Sequence, residues 1–376
     1  MSDVIVIGGG IAGCSTAMFL AAEGVEVTLL ERGDLNEQAS GVNAGSLHVQ
    51  IQHEPFVRYG DPWVRQYLPA LAFYRYAVDL WEELDEQFDH ALEFSRKGGV
   101  IVAATDGQMR ELEAKAKLER DAGLGTELLD AAALRELAPY VSSDMIGGAF
   151  CPVEGKATPL KSTTTLAAAA EAAGTRIIRR CEVEQITPAE GGYRLGTTRG
   201  EFSAPRIVNA AGIDVGRLSG MLGAELDIQA FPIQLSVTEP MAPLITHLLY
   251  SAANLLTLKQ SHAGTVLIGG GWPARLDDEG RPGVNFDSLA RNLKIAAEVV
   301  PELDRSRLLR SWAGVVNGTD SWLPMLGELP GSPGFFINYV PWMGFTGGPA
   351  SGRIVASLVQ QQAPPVDFDL APFAPR

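Results

Sequence analysis

The chain has 376 residues, which suits roughly two domains and a sizeable core. Hydrophobic residues make up 46% and charged residues 20%, an ordinary globular composition, and the formal net charge of −15 opposes phosphate backbones, so no nucleic-acid partner is expected. Cys14, Cys151 and Cys181 are scattered and form no CxxC pair; this suits a reducing compartment, excludes a four-cysteine zinc or iron–sulfur site built by this chain alone, and leaves no metal site to expect. Neither a signal-peptide pattern nor an apolar run near the ~18 residues of a membrane helix is visible, so a cytoplasmic protein without a transmembrane segment is expected.

The β-branched run Val4–Ile7 predicts a buried parallel strand. Gly8-Gly9-Gly10-Ile11-Ala12-Gly13 follows at once. Gly8 permits a tight turn, Gly10 leaves no side chain between the backbone and a pyrophosphate, and Gly13 lets the next helix pack close to the strand. That helix is predicted over 11–23, and its free N–H groups, from Ile11 and Ala12 onward, point its positive end at phosphates. A second strand is predicted over 25–30. Glu31 stands at its end, 18 residues past Gly13, where a carboxylate accepts both ribose hydroxyls and favours FAD or NAD over NADP.

A polar loop over 34–45 follows, and its small residues and hydroxyls (Ser40, Asn43, Ala44, Gly45 and then Ser46) suit either a second cofactor contact or a solvated turn. His48 and His53 come next, each a structural histidine or a base. Residues 62–88 read as a helix with Phe73, Tyr74 and Tyr76 in the core, 94–104 as two short strands, 107–122 as an amphipathic helix, and 131–137 and 159–173 as further helices. Strands then alternate through 181–208 and end in Asn209-Ala210-Ala211-Gly212, where small residues allow close approach to a cofactor. Period-two alternation through 226–299, before a helix over 286–299, predicts a separate, mostly antiparallel sheet. Val266 to Gly271 mimics the opening motif, but Trp272-Pro273 follows where a helix is needed, so these glycines make room for something bulky. A strand over 334–340 leads to Gly344-Phe345-Thr346 and a helix over 350–361, whose N-terminus suits partial negative charge. The tail beyond Pro364 is expected to be loosely held.

The stretches VIVIGGGIAGCSTAMFLAAEGVEVTLLER, ASGVNAGSLH, RIVNAAGID, LLRSWAGVVNGT and GFTGGPASGRIVASLV span nearly the whole chain. In their order and spacing the chain resembles the D-amino-acid oxidase/glycine oxidase/sarcosine oxidase family of FAD-dependent oxidoreductases. Within it, ASGVNAGSLH, LIGGGWP and PWMGFTGGPASG look most like FAD-bearing β subunits of heteromeric dehydrogenases for opines, proline or D-hydroxyproline.

The resemblance implies an α/β Rossmann-like FAD-binding domain over 1–60, 140–225 and 310–376, and an α+β substrate domain with a mostly antiparallel sheet over 61–139 and 226–309. It implies non-covalent FAD, with Gly8, Gly10, Gly13, Glu31 and Arg32 around the ADP part. Ser40, Asn43, Ala44 and Gly45 fall near the pyrophosphate and flavin, Val183 against the adenine, and Gly344, Phe345 and Thr346 at the ring. It implies oxidation of a secondary amine or amino acid by hydride transfer from the α-carbon, a larger α subunit, a small iron–sulfur subunit, and FMN at a subunit interface. A self-sufficient oxidase releasing hydrogen peroxide and a non-catalytic flavoprotein scaffold are the alternatives.

Family members usually anchor the substrate carboxylate with arginines after the WAG motif and before the last helix, where this chain has Val316 and Trp342. Arg58, Lys259 or His262 are therefore candidate anchors and Trp272 and Trp342 candidate walls. His48, Lys259, Trp272 and Trp342 form the expected catalytic set.

Overall fold

The computed structural model describes residues 2–376. A six-stranded sheet runs in the order Met325–Glu328, Phe335–Tyr339, Arg206–Asn209, Val4–Ile7, Val27–Leu30 and Arg176–Ile178, parallel throughout except at its first strand. Val4–Ile7 lies mid-sheet and is covered on both faces, which is why all four residues are apolar. Val4 and Val6 meet the helices Ile11–Ala22, Pro159–Ala172 and Gly344–Val359. Ile5 and Ile7 meet a three-stranded antiparallel sheet, Val183–Ala189, Gly192–Thr197 and Gly200–Ala204, through Ile186, Tyr193 and Leu195.

The second layer is an eight-stranded sheet: Leu308–Gly318, Gln229–Thr238, Val266–Gly269, Thr257–Gln260, Leu248–Ser251, Gly99–Ala103, Gly147–Cys151 and Glu127–Asp130. Only Leu248–Ser251 and Gly99–Ala103 pair in parallel. Helices Ala131–Leu137 and Phe286–Val299 cover the face bearing Val100 and Val102. Asp106–Asp121 begins with a capping box between Thr105 and Gln108 and packs by Leu112 on the opposite face, beside Ile101 and Tyr250.

Several boundaries differ from the sequence reading. Residues 53–67 are helical on either side of Gly60, whose φ 64° and ψ −162° break the helix there, so helix resumes close to the expected start at 62; Pro69–Gln87 follows. Within 94–104 there is one strand, Gly99–Ala103. Gly147–Cys151 and Glu127–Asp130 are strands that the sequence pattern does not predict; a Cβ at Gly147 or Gly148 would lie 2.5 Å from the carbonyl oxygen of Leu129 or Ile101, so close strand pairing explains the glycines that hide them. Gly147–Cys151 and most of Leu308–Gly318 belong to the eight-stranded sheet, although the expected boundaries at 140 and 310 put them with the nucleotide-binding part. The last helix starts at Gly344, not 350.

The tail is also held. Phe373 is fully buried, 5.8 Å from Phe73 and 6.3 Å from Phe368 between ring centroids. Phe373→Ala should therefore cost about 3–5 kcal/mol of stability. A urea-unfolding midpoint equal to the parent's would show that the tail contributes nothing.

Candidate active site

A cavity of about 990 Å³ lies between the two sheets, at the top of the ~300–1,000 Å³ range of small-molecule sites. Gly8, Gly10, Glu31, Arg32, Val183 and Gly212 line one end, and Trp342, Gly344, Phe345 and Thr346 the other.

At the first end two glycines are required by the backbone. Gly8 has φ +112°, and a Cβ there would meet the Ala210 carbonyl oxygen at 2.5 Å. Gly13 does not line the cavity; a Cβ on it would lie 1.9 Å from the Gly8 carbonyl oxygen, so its work is to seat the helix on the turn. Ile11 and Ala12 open that helix on the cavity wall, and the Ile11 N–H donates to Ser40 Oγ at 2.9 Å. The Glu31 carboxylate accepts from the N–H groups of Gly9 (2.6 Å) and Gly33 (2.7 Å), fixing it at the strand end. Arg32 pairs with Asp214 at 2.5 Å.

Asn43 shapes the next loop from within: its amide donates to the carbonyls of Ala39 and Ser40, and its oxygen accepts from the Gly45 N–H. Residues 39–42 form a helical turn, and Ala44, Gly45 and Ser46 then run along the cavity wall. At the far end the Thr346 hydroxyl accepts from the His48 N–H at 3.0 Å, and Trp81 Nε1 donates to the Thr346 carbonyl at 2.9 Å.

A glycine turn into a helix N-terminus, a fixed carboxylate at the adjacent strand end and a second helix N-terminus opening on the same cavity all fit FAD. Gly8, Gly10, Ile11, Ala12, Glu31 and Arg32 would hold its ADP part, Ala210, Gly212 and Val183 would flank it, and Ser46, Gly344, Phe345 and Thr346 would lie toward its ring.

The expected catalytic set separates. His48 and Trp342 line the cavity; Lys259 and Trp272 do not. Lys259 is buried behind Ser46, donating to its Oγ at 2.6 Å. Trp272 turns away, its Nε1 donating to the Leu255 carbonyl at 2.7 Å and its ring packed on the eight-stranded sheet's helical side, while Gly270, Gly271, Pro273 and Ala274 line the cavity around it. Of the candidate anchors, Arg58 lines the cavity, whereas His262 lies outside it, 3.9 Å from Glu93.

Sequence reasoning missed two groups. The first is the pair of aromatics that completes the wall expected at Trp342: that residue, at φ 57°, stacks on Trp322 at 4.7 Å and meets Phe231 at 4.4 Å. Gly318 accommodates it, since a Cβ there would lie 2.2 Å from the indole; the positive φ before the glycine-rich helix left no sequence signal. The second is a buried polar chain. His48 Nδ1 is 2.8 Å from the Tyr250 oxygen, and Tyr250 donates to Glu154 at 3.0 Å. Glu154 also accepts from the N–H groups of Val49 and Gln50 and from the Gln50 side chain, whose oxygen takes the Lys115 ammonium at 2.9 Å; Lys115 pairs with Glu119. Its members come from four separate segments, and no local pattern joins them.

Burial, reinforced by Lys259, holds His48 down to about 3. Burial and then Lys115 hold His53 down to about 4. Lys259 is pushed well below its usual value by burial and then by Lys156, and burial raises Glu154.

The fold and this cavity define an FAD-dependent oxidoreductase, and the family profile "DAO: FAD dependent oxidoreductase" matches residues 3–358. The chain belongs to that family and is an oxidoreductase of amines and amino acids. It is 28% identical to glycine oxidase of Geobacillus kaustophilus, covering 99% of this chain and 96% of that protein. It is 27% identical to the beta subunit of sarcosine oxidase from an Arthrobacter species, covering 95% and 86%. The crystal structure of the Geobacillus kaustophilus glycine oxidase superposes with a TM-score of 0.82 at 26% identity, covering 100% of this chain and 98% of that one.

Both cavity histidines are neutral in the folded chain, whereas the unfolded chain protonates them below about 6.5. Stability should therefore fall as pH drops from 6.5 toward 4. Thermal melts of the parent and of a His48→Gln, His53→Gln variant isolate this contribution: the variant should lose less stability over that range, and parallel curves would contradict it.

Proposed function

We propose that the chain oxidises a secondary amino acid larger than glycine, of the opine class (octopine or nopaline) or D-hydroxyproline, as the catalytic member of a heteromeric dehydrogenase. The observation that carries this reading is the composition of the ring end. Val316 and Trp342 line it in place of cations, and Trp342, Trp322 and Phe231 make an apolar wall suited to a bulky group on the substrate. Arg32, Arg58 and Arg217 line the cavity; Arg32 and Arg217 pair with Asp214, and we assign the substrate carboxylate to Arg58, in the helical turn before Gly60.

FAD, when bound, supplies a two-electron acceptor for the hydrogen on the substrate α-carbon, and the imine left behind hydrolyses in water. The chain's own residues align that C–H bond: the aromatic wall excludes water, and Arg58 fixes one end of the substrate.

Similarity to the B subunit of opine oxidase from Agrobacterium tumefaciens, 27% identical over 89% of this chain and 87% of that protein, supports a role within a larger assembly. A larger α subunit and a small iron–sulfur subunit complete the proposed assembly and take the electrons. The three cysteines are free and buried, which supports the cytoplasm as its compartment, and no helix among the described residues is long and apolar enough to cross a membrane.

The nearly full-length match to glycine oxidase favours a second reading, a self-sufficient glycine or sarcosine oxidase that passes electrons to oxygen.

Anaerobic addition of octopine, nopaline, D-hydroxyproline, proline, sarcosine or glycine to the purified flavoprotein decides between them. Bleaching of the flavin band by an opine or D-hydroxyproline, with little peroxide released in air, is expected. Bleaching by glycine or sarcosine with stoichiometric peroxide would establish the oxidase, and no bleaching by any amine would point to a scaffold. Acid release of the cofactor should give FAD; FMN in the isolated chain would contradict the cofactor assignment. Arg58→Met should raise KM roughly 10–100-fold, the loss of a charged hydrogen bond, with FAD content unchanged.

A further inference from the structure

The buried chain behind His48 has a direction that its hydrogen bonds define. Glu154 is fully buried and accepts from three N–H groups: two backbone amides and the Gln50 side chain. Those groups can only donate, so the carboxylate is the acceptor, and the Tyr250 O–H points at it over 3.0 Å. With its hydrogen committed to Glu154, the Tyr250 oxygen must accept from His48, 2.8 Å away, which places the imidazole hydrogen on Nδ1. Nε2 then carries the lone pair. It has no partner among the described residues, and His48 lines the cavity one hydrogen bond from Thr346, at the ring end.

Amines enter water-filled sites as ammonium ions, whereas loss of the α-hydrogen with its electron pair requires the nitrogen lone pair. We propose that His48, Tyr250 and Glu154 form a proton relay that takes one proton from the bound substrate ammonium. This rests on the amine-oxidation reading above.

In the relay the ammonium N–H bond breaks and the proton joins His48 Nε2. The Nδ1 proton passes to the Tyr250 oxygen, and the Tyr250 hydroxyl proton passes to Glu154 Oε2. The balance is ammonium plus carboxylate giving amine plus carboxylic acid, with no electrons exchanged. The proton returns by the reverse path when the cavity refills with water. His48 touches the substrate and is the catalytic residue of the three; Tyr250 and Glu154 position it and carry the proton onward.

The surroundings favour a concerted shift over a standing imidazolium. Burial disfavours a charged His48 imidazole, and Lys259, held behind Ser46, adds to it. Glu154 is the group on which a proton is tolerated: burial raises it, and it faces the buried Cys151 and Tyr67. Lys115 reaches Glu154 only through Gln50 and is already paired with Glu119.

The test is rapid anaerobic mixing of the FAD-loaded protein with a substrate that bleaches it, across pH 6 to 10. For the parent chain the limiting bleaching rate should stay nearly flat below the amine's own pKa. Tyr250→Phe should be slower by roughly 100-fold at pH 7, the usual size of a proton-transfer contribution. It should recover as pH rises and free amine becomes available. His48→Gln should behave alike, so the test does not depend on one variant folding well. A Tyr250→Phe rate lowered equally at all pH values, or unchanged, would overturn the relay while leaving amine oxidation intact. No bleaching of the parent by any amine would instead overturn the reading on which the relay rests. A readout free of turnover is the ¹⁵N spectrum of histidine-labelled protein: His48 should appear as the Nδ1–H tautomer and lose that preference in Tyr250→Phe. An Nε2–H tautomer in the parent would overturn the relay.

Discussion

The structure depends on one close contact, the seam between its two cavity-facing helices. Gly348 and Gly352, one turn apart on Gly344–Val359, lie where a Cβ would meet Ile11 Cγ2 at 2.5 Å and Ser15 Cβ at 2.6 Å. Backbones that approach this closely fix the relative height of the helices, so the N-terminus of Ile11–Ala22 and that of Gly344–Val359 open on the same cavity. The Gly13 contact with Gly8 then locks the first helix to its strand. Two positive helix ends are thereby placed side by side on one cavity wall, and a ligand that carries both phosphates and an electron-accepting ring answers both.

The eight-stranded sheet is tied to this frame by polar contacts at its cavity edge. Trp312 Nε1 donates to the Val42 carbonyl at 2.7 Å, Lys259 to Ser46, and Tyr250 lies within hydrogen-bonding distance of His48. Each joins a strand residue of the sheet to the run between the first helical turn and His48. That run is therefore shaped from both sides, by cofactor-facing backbone on one and by sheet side chains on the other. Lys259, expected at the chemistry, serves here as one of these ties.

What is legible in the sequence is local. The strand, glycine turn, helix, strand and acid of residues 4–31 lie consecutively, and every one of them lines the cavity or seats what does. The helices Ala131–Leu137 and Phe286–Val299 carry their caps and periodicity within a few residues, so their observed bounds match those the sequence predicts. Illegible features depend on distant partners. Gly147–Cys151 is a strand because Gly99–Ala103 and Glu127–Asp130 flank it, although its own GGAFC sequence has no alternation. Tyr250 and Glu154 matter because they meet across 96 residues of chain.

The replacement of cations at the ring end also has a consistent physical logic. A cation at 342 would need a carboxylate partner in the resting cavity or a standing hydration shell, both costly in a space walled by Phe231 and Trp322. Trp342 instead stacks on Trp322, and its one polar atom donates to the Thr319 carbonyl at 3.1 Å, so it is satisfied without a ligand. The wall is preorganised, and in the proposed reading charge recognition falls to Arg58, whose side chain remains exposed and pairs with Glu54 at 3.5 Å. On that proposed reading a substrate that bridges these two regions is longer than glycine, because its charged end and its oxidised carbon would be held by different elements of the fold.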